Sequence, residues 1–196
     1  MRIKPIFCPI RRSSLPSNDI LDHLSRLYAL SDDPWNHRSS PYEALKYQAT
    51  LAAIGLGPFH HALEVGCGNG TFATLLADRC ETLTVMDCIP AAVALAKQAL
   101  TPCPHARVIQ GTAPRNLPQI RPDLVVLSEV LYFLTPADIV DLGVWLRHHA
   151  TGAVVAVNWT GPTDEPLTGT EAVGLLGDVL GGGQTHHCKG YRIDLF

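Results

Sequence analysis

The sequence lacks the long apolar runs, the paired cysteines and the excess of one charge that mark several large classes of protein. No stretch approaches the roughly 20 consecutive apolar residues of a membrane span, which argues against membrane insertion. Six cysteines are present, Cys8, Cys67, Cys80, Cys88, Cys103 and Cys188. They form no CxxC pair and no metal-finger spacing, and they read as small apolar residues in a reducing compartment. Charged residues make up only 17% of the chain, the net charge is −3 and the pI is near 6.3. Nucleic-acid binders show a basic face or a high pI, so that class is disfavoured. The opening MRIKPIFCPIRRSS is short of apolar residues and broken by prolines, unlike a secretory signal. Internal repeats and low-complexity tracts are lacking too. These absences leave a cytoplasmic globular protein as the expectation.

What is present fits one domain with a sizeable core: 196 residues, 46% of them apolar. Residues 1–16, with Arg2, Lys4, Arg11 and Arg12, read as a flexible arm. SNDILDHLSRLYAL (17–30) carries Ile20, Leu21, Leu24, Leu27, Tyr28 and Leu30 at helical spacing, behind Ser17 or Asn18 as N-cap. A loop (31–41) leads to a second helix, YEALKYQATLAAIGLG, closing on Gly55 or Gly57. Residues 17–59 are thus read as an N-terminal helical lid over a core of 60–196. There HALEVG, TLTVMD, ARVIQG, PDLVVLSE and AVVAVNW read as strands. TFATLLADRC, PAAVALAKQALTP, PADIVDLGVWLRHHA and TGTEAVGLLGDVLGG read as the helices between and after them. QTHHCKGYRIDLF adds one or two closing strands. Such alternation predicts an α/β fold with a doubly wound, mostly parallel sheet.

The chemistry begins at LEVGCGNG (63–70). Glycines let a loop turn tightly and bring backbone N–H groups to a ligand at a helix N-terminus. The dinucleotide fingerprint is G-x-G-x-x-G. Gly66 and Gly68 fit it, but Thr71 takes the third place and Gly70 comes one residue early. Asp87 closes the second strand, 21 residues beyond Gly66. A carboxylate there accepts from two ribose hydroxyls at once. Thr71 and the lack of a hydride-transfer dyad weigh against a nicotinamide oxidoreductase.

LEVGCGNG, VMD (85–87) and PDLVVLSEVLYFL (122–134) together resemble the class I S-adenosylmethionine-dependent methyltransferases, over about 60–196. The resemblance implies a Rossmann-like sheet of about seven strands with the last antiparallel. It also implies S-adenosylmethionine as cofactor and S-adenosylhomocysteine as product. By its motifs Glu64, Gly66, Cys67, Gly68, Asn69 and Gly70 would face the methionine part, and Asp87 with Cys88 and Ile89 the ribose side. Thr112, Ala113 and Ser128 would complete the set, though Thr112-Ala113 stands where many relatives carry an Asp beside the adenine amine. Relatives acting on nucleobase amines read N/D-P-P-Y/F after the fourth strand. This chain reads Ser128-Glu129-Val130-Leu131, which argues against adenine-amine methylation. Glu129 falls at the carboxyl edge of the sheet, where open α/β folds bind ligands. It is the candidate to orient or deprotonate an acceptor amine, with Tyr132 one turn on as a pocket residue.

DDPWNHRSSPYEALKYQATLAAI (32–54), taken with VVLSEVLYFL, is similar to the nodulation-type (NodS-like) N-methyltransferases and to relatives encoded with sugar deacetylases. That implies methyl transfer to the free amine of a small molecule or a deacetylated amino sugar in a chitin-like oligosaccharide. An O-methyltransferase for small alcohols or acids and a non-catalytic S-adenosylmethionine-binding protein are the alternatives. Trp35, Tyr42 and Lys46 are lid or substrate candidates, since aromatic faces attract a sulfonium and stack on sugars. Tyr42 and Lys46 also share a helix face. Asn158 and Trp159 end the fifth strand at the same carboxyl edge, and GPTDEPLTG follows as a specificity loop. His148, His149, His186 and His187 have no carboxylate cluster beside them in the pattern, and no metal site is expected.

Overall fold

Strands and helices alternate through the chain from residue 62 on. The computed structural model describes residues 17–196; the arm over 1–16 lies outside the described residues. Two helices come first, α1 (Ser17–Leu30) and α2 (Pro41–Ile54). Next come β1 (Ala62–Val65), α3 (Thr71–Ala77), β2 (Leu83–Asp87), α4 (Pro90–Ala99) and β3 (Ala106–Gln110). β4 (Leu124–Ser128) leads into a single 3-10 turn (Leu131–Phe133), then α5 (Pro136–His149) and β5 (Ala153–Trp159). α6 (Gly169–Leu180), β6 (Gln184–His187) and β7 (Tyr191–Leu195) complete it.

The strands form one seven-stranded sheet in the order β3-β2-β1-β4-β5-β7-β6. The first five are parallel to one another, and β7 runs antiparallel to both β5 and β6. The expected Rossmann-like sheet is therefore present, with both closing strands formed. Every residue of β1 and β2 is buried, because helices cover both faces. The edge strand β6 is polar and mostly exposed, which makes a poor template for further pairing.

One face carries Tyr47, Phe72, Leu76 and Ala96, from α2, α3 and α4. The other carries Ile139, Leu142 and Leu146 of α5 against Leu176 of α6. α1 packs separately on α4, with Ile20, Leu24 and Tyr28 against Ile89 and Ala92. The helix starts follow local chemistry. Ser40 caps α2 by accepting from the Glu43 N–H, with Pro41 in the first turn. Thr168 closes a reciprocal capping box with Glu171 at α6. α3 stops at Ala77, short of the expected Cys80, because Cys80 bridges to Phe59 instead.

Candidate active site at the carboxyl edge of the sheet

All five parallel strands end at one edge, so the loops after β1, β2, β4 and β5 converge there. After β1 the chain turns through the glycine loop. The N–H groups of Gly66 and Cys67 both donate to the Met86 carbonyl, at 2.8 and 3.0 Å. Gly70 starts α3 in the left-handed region, φ 81°, and a Cβ there would fall 2.9 Å from the Ala96 Cα. Glycine is therefore demanded both by conformation and by the close approach of α4.

Asp87 ends β2 directly below this loop. Its Oδ2 accepts from the Gly68 N–H and its Oδ1 from the Ile89 N–H, both at 2.9 Å. Burial pushes its pKa up, and the N–H groups of Ile89, Gly68 and Cys88 hold it back. Glu64 in β1 is only 2% exposed, and its Oε2 has no hydrogen-bond partner. Burial, then the nearby charge of Asp87, pushes Glu64 up to about 8. An unpartnered carboxylate oxygen at such a depth costs free energy unless a donor arrives.

The N-terminal helices reach this cradle. Asn69 donates from Nδ2 to Asp33 at 3.0 Å, while its Oδ1 accepts from the Thr71 N–H and hydroxyl. Asp33 also accepts from the His37 and Arg38 N–H groups, so one carboxylate ties the 31–40 loop to the glycine loop. Tyr28 of α1 is buried with its hydroxyl unpartnered, and a Cβ on Gly68 would lie 3.1 Å from that hydroxyl. Trp35 meets the Tyr28 ring edge-on at 5.7 Å between centroids and stays 40% exposed. It is therefore a rim residue rather than a buried plug.

The second half of the site lies beyond β4. Ser128 is half-buried at the strand end. Glu129 takes φ 56°, rare for a residue with a side chain. Its N–H donates to the Val157 carbonyl at 2.8 Å. Its Oε1 accepts from Lys46 Nζ at 2.8 Å, and its Oε2 from the Tyr132 hydroxyl and the Trp159 N–H, both at 2.9 Å. Lys46 also lies 3.0 Å from Glu43, and Glu43 lies 3.3 Å from His37 Nδ1, which is 2.8 Å from the Tyr47 hydroxyl. Burial alone would lower Lys46, but the charges of Glu129 and Glu43 outweigh it and raise its pKa. Burial would raise Glu43, and His37 with Lys46 bring it below the usual range.

The remaining candidates are spread around these two halves. Asn158 is fully buried with neither amide atom partnered. The Trp159 ring is hemmed by Gly161 and Gly190, faces Tyr42 edge-on at 6.1 Å, and donates from Nε1 to the Pro162 carbonyl at 3.2 Å. That packing makes Trp159 part of the β5 loop wall, not a free platform. Cys67 is buried in the cluster with Tyr47 and Phe72, while half-buried Cys88 and buried Ile89 pack with the α1 cluster. The Thr112 N–H donates to Asn116 Oδ1 at 3.1 Å, and Ala113 is buried in the core, so this segment is braced on its own turn.

Four residues that the sequence reading passed over belong to the site: Tyr28, Asp33, His37 and Glu43. Glu43 carried a signal, sitting one turn before Lys46 on one helix face; the others carried none, Tyr28 being placed by packing and Asp33 and His37 by hydrogen bonds to Asn69 and Tyr47. Glu165, in the loop after β5, is half-buried and pushed up to about 7 by burial and by Asp164. Among the described residues no group of three or more His, Cys, Asp or Glu is placed to hold a metal ion. His149 instead stacks on Trp145, and His148 bonds the Val144 carbonyl.

Strand order and glycine loop together define a Rossmann-like fold of the class I methyltransferase type. The family model for nodulation protein S (NodS) matches residues 17–148, more than half of the chain, and the chain belongs to that family. It is 33% identical over 126 residues to nodulation protein S of Rhizobium tropici, covering 64% of this chain and 52% of that one. With the Sinorhizobium fredii protein of the same name it shares 34% over 113 residues, covering 57% and 52%. The chain thus spans about half the length of these relatives. The crystal structure of the N-methyltransferase NodS from Bradyrhizobium japonicum WM9 with S-adenosyl-L-homocysteine superposes with a TM-score of 0.75. That likeness, at 23% identity over 90% of this chain and 97% of the other, is one of fold.

Proposed function

We propose that this chain is an S-adenosylmethionine-dependent methyltransferase acting on an amine nitrogen of a small molecule or a deacetylated amino sugar. Residues 17–59 serve as the lid of the 60–196 core, and the protein works in the cytoplasm. Membership of the nodulation protein S family supports the reading. So does a pair of carboxylates, Glu64 and Asp87, under a glycine loop, the first with an oxygen that has no hydrogen-bond partner among the described residues.

The donor set fits the cofactor chemically. Glu64 offers a buried acceptor to a cationic ammonium, and Asp87 offers lone pairs to hydroxyl donors. Tyr28 offers a buried hydroxyl donor, and Trp35 an aromatic face to a cation. When bound, S-adenosylmethionine supplies a methyl group on a sulfonium, a good leaving group for a single displacement. The chain then has to orient the acceptor and keep water out, work that proximity alone can repay with large rate gains. Glu129 faces the acceptor with a carboxylate held by three donors, a geometry that supports orienting the amine by hydrogen bonding. Lys46, Tyr42 and Tyr132 hold that carboxylate or wall the acceptor side.

Calorimetric titration with S-adenosylhomocysteine beside NAD tests the cofactor. Radiolabelled methyl transfer to deacetylated chitooligosaccharides, simple amines and alcohols tests the acceptor. Micromolar binding of the first ligand only, with label on amines, is the expected result. Binding of NAD alone, or label on alcohols alone, would overturn the reading.

A further inference from the structure

Lys46 is 3% exposed, in the middle of α2, and its ammonium is shared by two carboxylates. Glu43 comes from the same helix and Glu129 from the end of β4. With all three ionised the group carries one surplus negative charge. Its parts differ in access: the Lys46 side chain is 4% exposed and that of Glu129 18%. Glu129 is therefore the member of the group that solvent reaches most.

Among the described residues, four segments surround Glu129. From α2 come Lys46, with Glu43 and Tyr42 behind it, and Lys46 Nζ lies 5.4 Å from the Tyr42 ring centroid. His37 lies beyond Glu43. The 3-10 turn supplies the Tyr132 hydroxyl, β5 the Trp159 N–H, and the loop after β5 the carboxylate of Glu165 beyond Tyr132. The left-handed backbone at Glu129 is the kind of strain that persists only where surrounding contacts over-determine it. Here four contacts do so, one to its N–H and three to its carboxylate.

We propose that Lys46 is a positioning residue for methyl transfer: it fixes Glu129 toward the acceptor, and the surplus negative charge of the Glu43–Lys46–Glu129 group selects a nitrogen acceptor over an oxygen. The inference rests on the methyltransferase reading above and deepens it. A neutral amine nitrogen attacks with its lone pair and forms the new N–C bond. The S–C bond breaks with its electron pair staying on sulfur, so the positive charge passes from sulfur to nitrogen. The resulting ammonium releases its proton to water. A fixed negative charge beside the nitrogen becomes more favourable as this charge develops, which lowers the barrier. An alcohol oxygen must shed its proton to attack well, whereas a neutral amine already presents its lone pair. The same negative charge would oppose an alkoxide.

The test compares wild type with Lys46→Met, Lys46→Arg and Glu43→Gln. It reads kcat and KM on deacetylated chitooligosaccharide, the amine-to-alcohol ratio, and S-adenosylhomocysteine affinity by calorimetry. Lys46→Met is expected to lower kcat about 100-fold with little change in KM or in S-adenosylhomocysteine affinity, the mark of an interaction made in the transition state. Lys46→Arg, which can still bridge two carboxylates, should recover a large part of the loss. Glu43→Gln keeps the shape and removes the surplus charge, so kcat and the amine-to-alcohol ratio should both fall about tenfold. It carries the test if Lys46→Met does not fold. Wild-type kcat and selectivity in Glu43→Gln, or wild-type kcat in a folded Lys46→Met, would overturn the inference alone. A wild type inactive on every acceptor would overturn the methyltransferase reading with it.

Discussion

Lys46 Nζ in α2 lies 2.8 Å from Glu129 Oε1 just past β4, across 83 residues of chain. This contact joins the N-terminal helices to the carboxyl edge of the sheet. Removing one partner of a buried ion pair commonly costs about 3–5 kcal/mol, because the other charge is left uncompensated. Segment and core are therefore coupled in stability as well as in place.

Glu129→Gln keeps the side-chain shape and removes the charge. It should lower kcat about 100-fold while S-adenosylhomocysteine affinity stays within about twofold, because the hydrogen bonds of Glu129 go to Lys46, Tyr132, Trp159 and Val157 and not to the glycine loop. Steady-state kinetics with calorimetry would show the split, and an unchanged kcat would remove Glu129 from the chemistry.

Asp87→Ala acts on the other half. It deletes a carboxylate that accepts from the Gly68 and Ile89 N–H groups and that the proposed function assigns to the cofactor. The loss of charge-assisted bonds should weaken S-adenosylhomocysteine binding by roughly 1.5–3 kcal/mol, measured by calorimetry.

Tyr28→Phe removes a buried hydroxyl that has no partner among the described residues. Ligand-free stability should hold or rise, since no internal hydrogen bond is lost, while cofactor affinity falls by about 1 kcal/mol. Equal affinity in mutant and wild type would leave Tyr28 a packing residue only.

Glu64 sets a pH dependence. Folding raises its pKa from 4.5 to about 8, so between these values the folded chain binds more protons than the unfolded one. Its contribution to ligand-free stability is fully present below 4.5 and is lost as pH rises through about 8. A cationic ligand favours the ionised carboxylate, so binding should release a proton and tighten as pH rises toward 8. Melting curves across that range and calorimetry in buffers of different ionisation enthalpy measure both effects. Glu64→Gln should flatten each.

Gly70→Ala places a Cβ 2.9 Å from the Ala96 backbone at a residue with φ 81°. Overpacking and left-handed strain together should cost about 2–4 kcal/mol, read as a lowered urea midpoint.

The alternation of strand and helix, the glycine loop and the acid at the end of β2 are all local patterns. Hydrophobic period and turn chemistry act over a few residues, and so the sheet class, Asp87 and the position of Glu129 at the carboxyl edge were legible in the sequence. Glu43, His37 and Tyr28 were not assigned roles: the local group Glu43, His37 and Lys46 gains its meaning only where Lys46 meets Glu129, 83 residues on, and the Tyr28 hydroxyl has no partner among the described residues. Trp159 shows the converse: its place at the end of β5 was legible, but its packing between Gly161 and Gly190 was not.

By itself the sequence determined the mostly parallel α/β core and the glycine loop with Asp87 at its carboxyl edge, through short-range periodicity and a spaced motif. Only the tertiary structure decided that Lys46 faces Glu129, that Asp33 clasps Asn69, and that a carboxylate oxygen of Glu64 is left without a donor. Those relationships arise when α1 and α2 pack against an edge formed by residues far along the chain, where burial removes water as a partner and the geometry of the fold selects which charges meet.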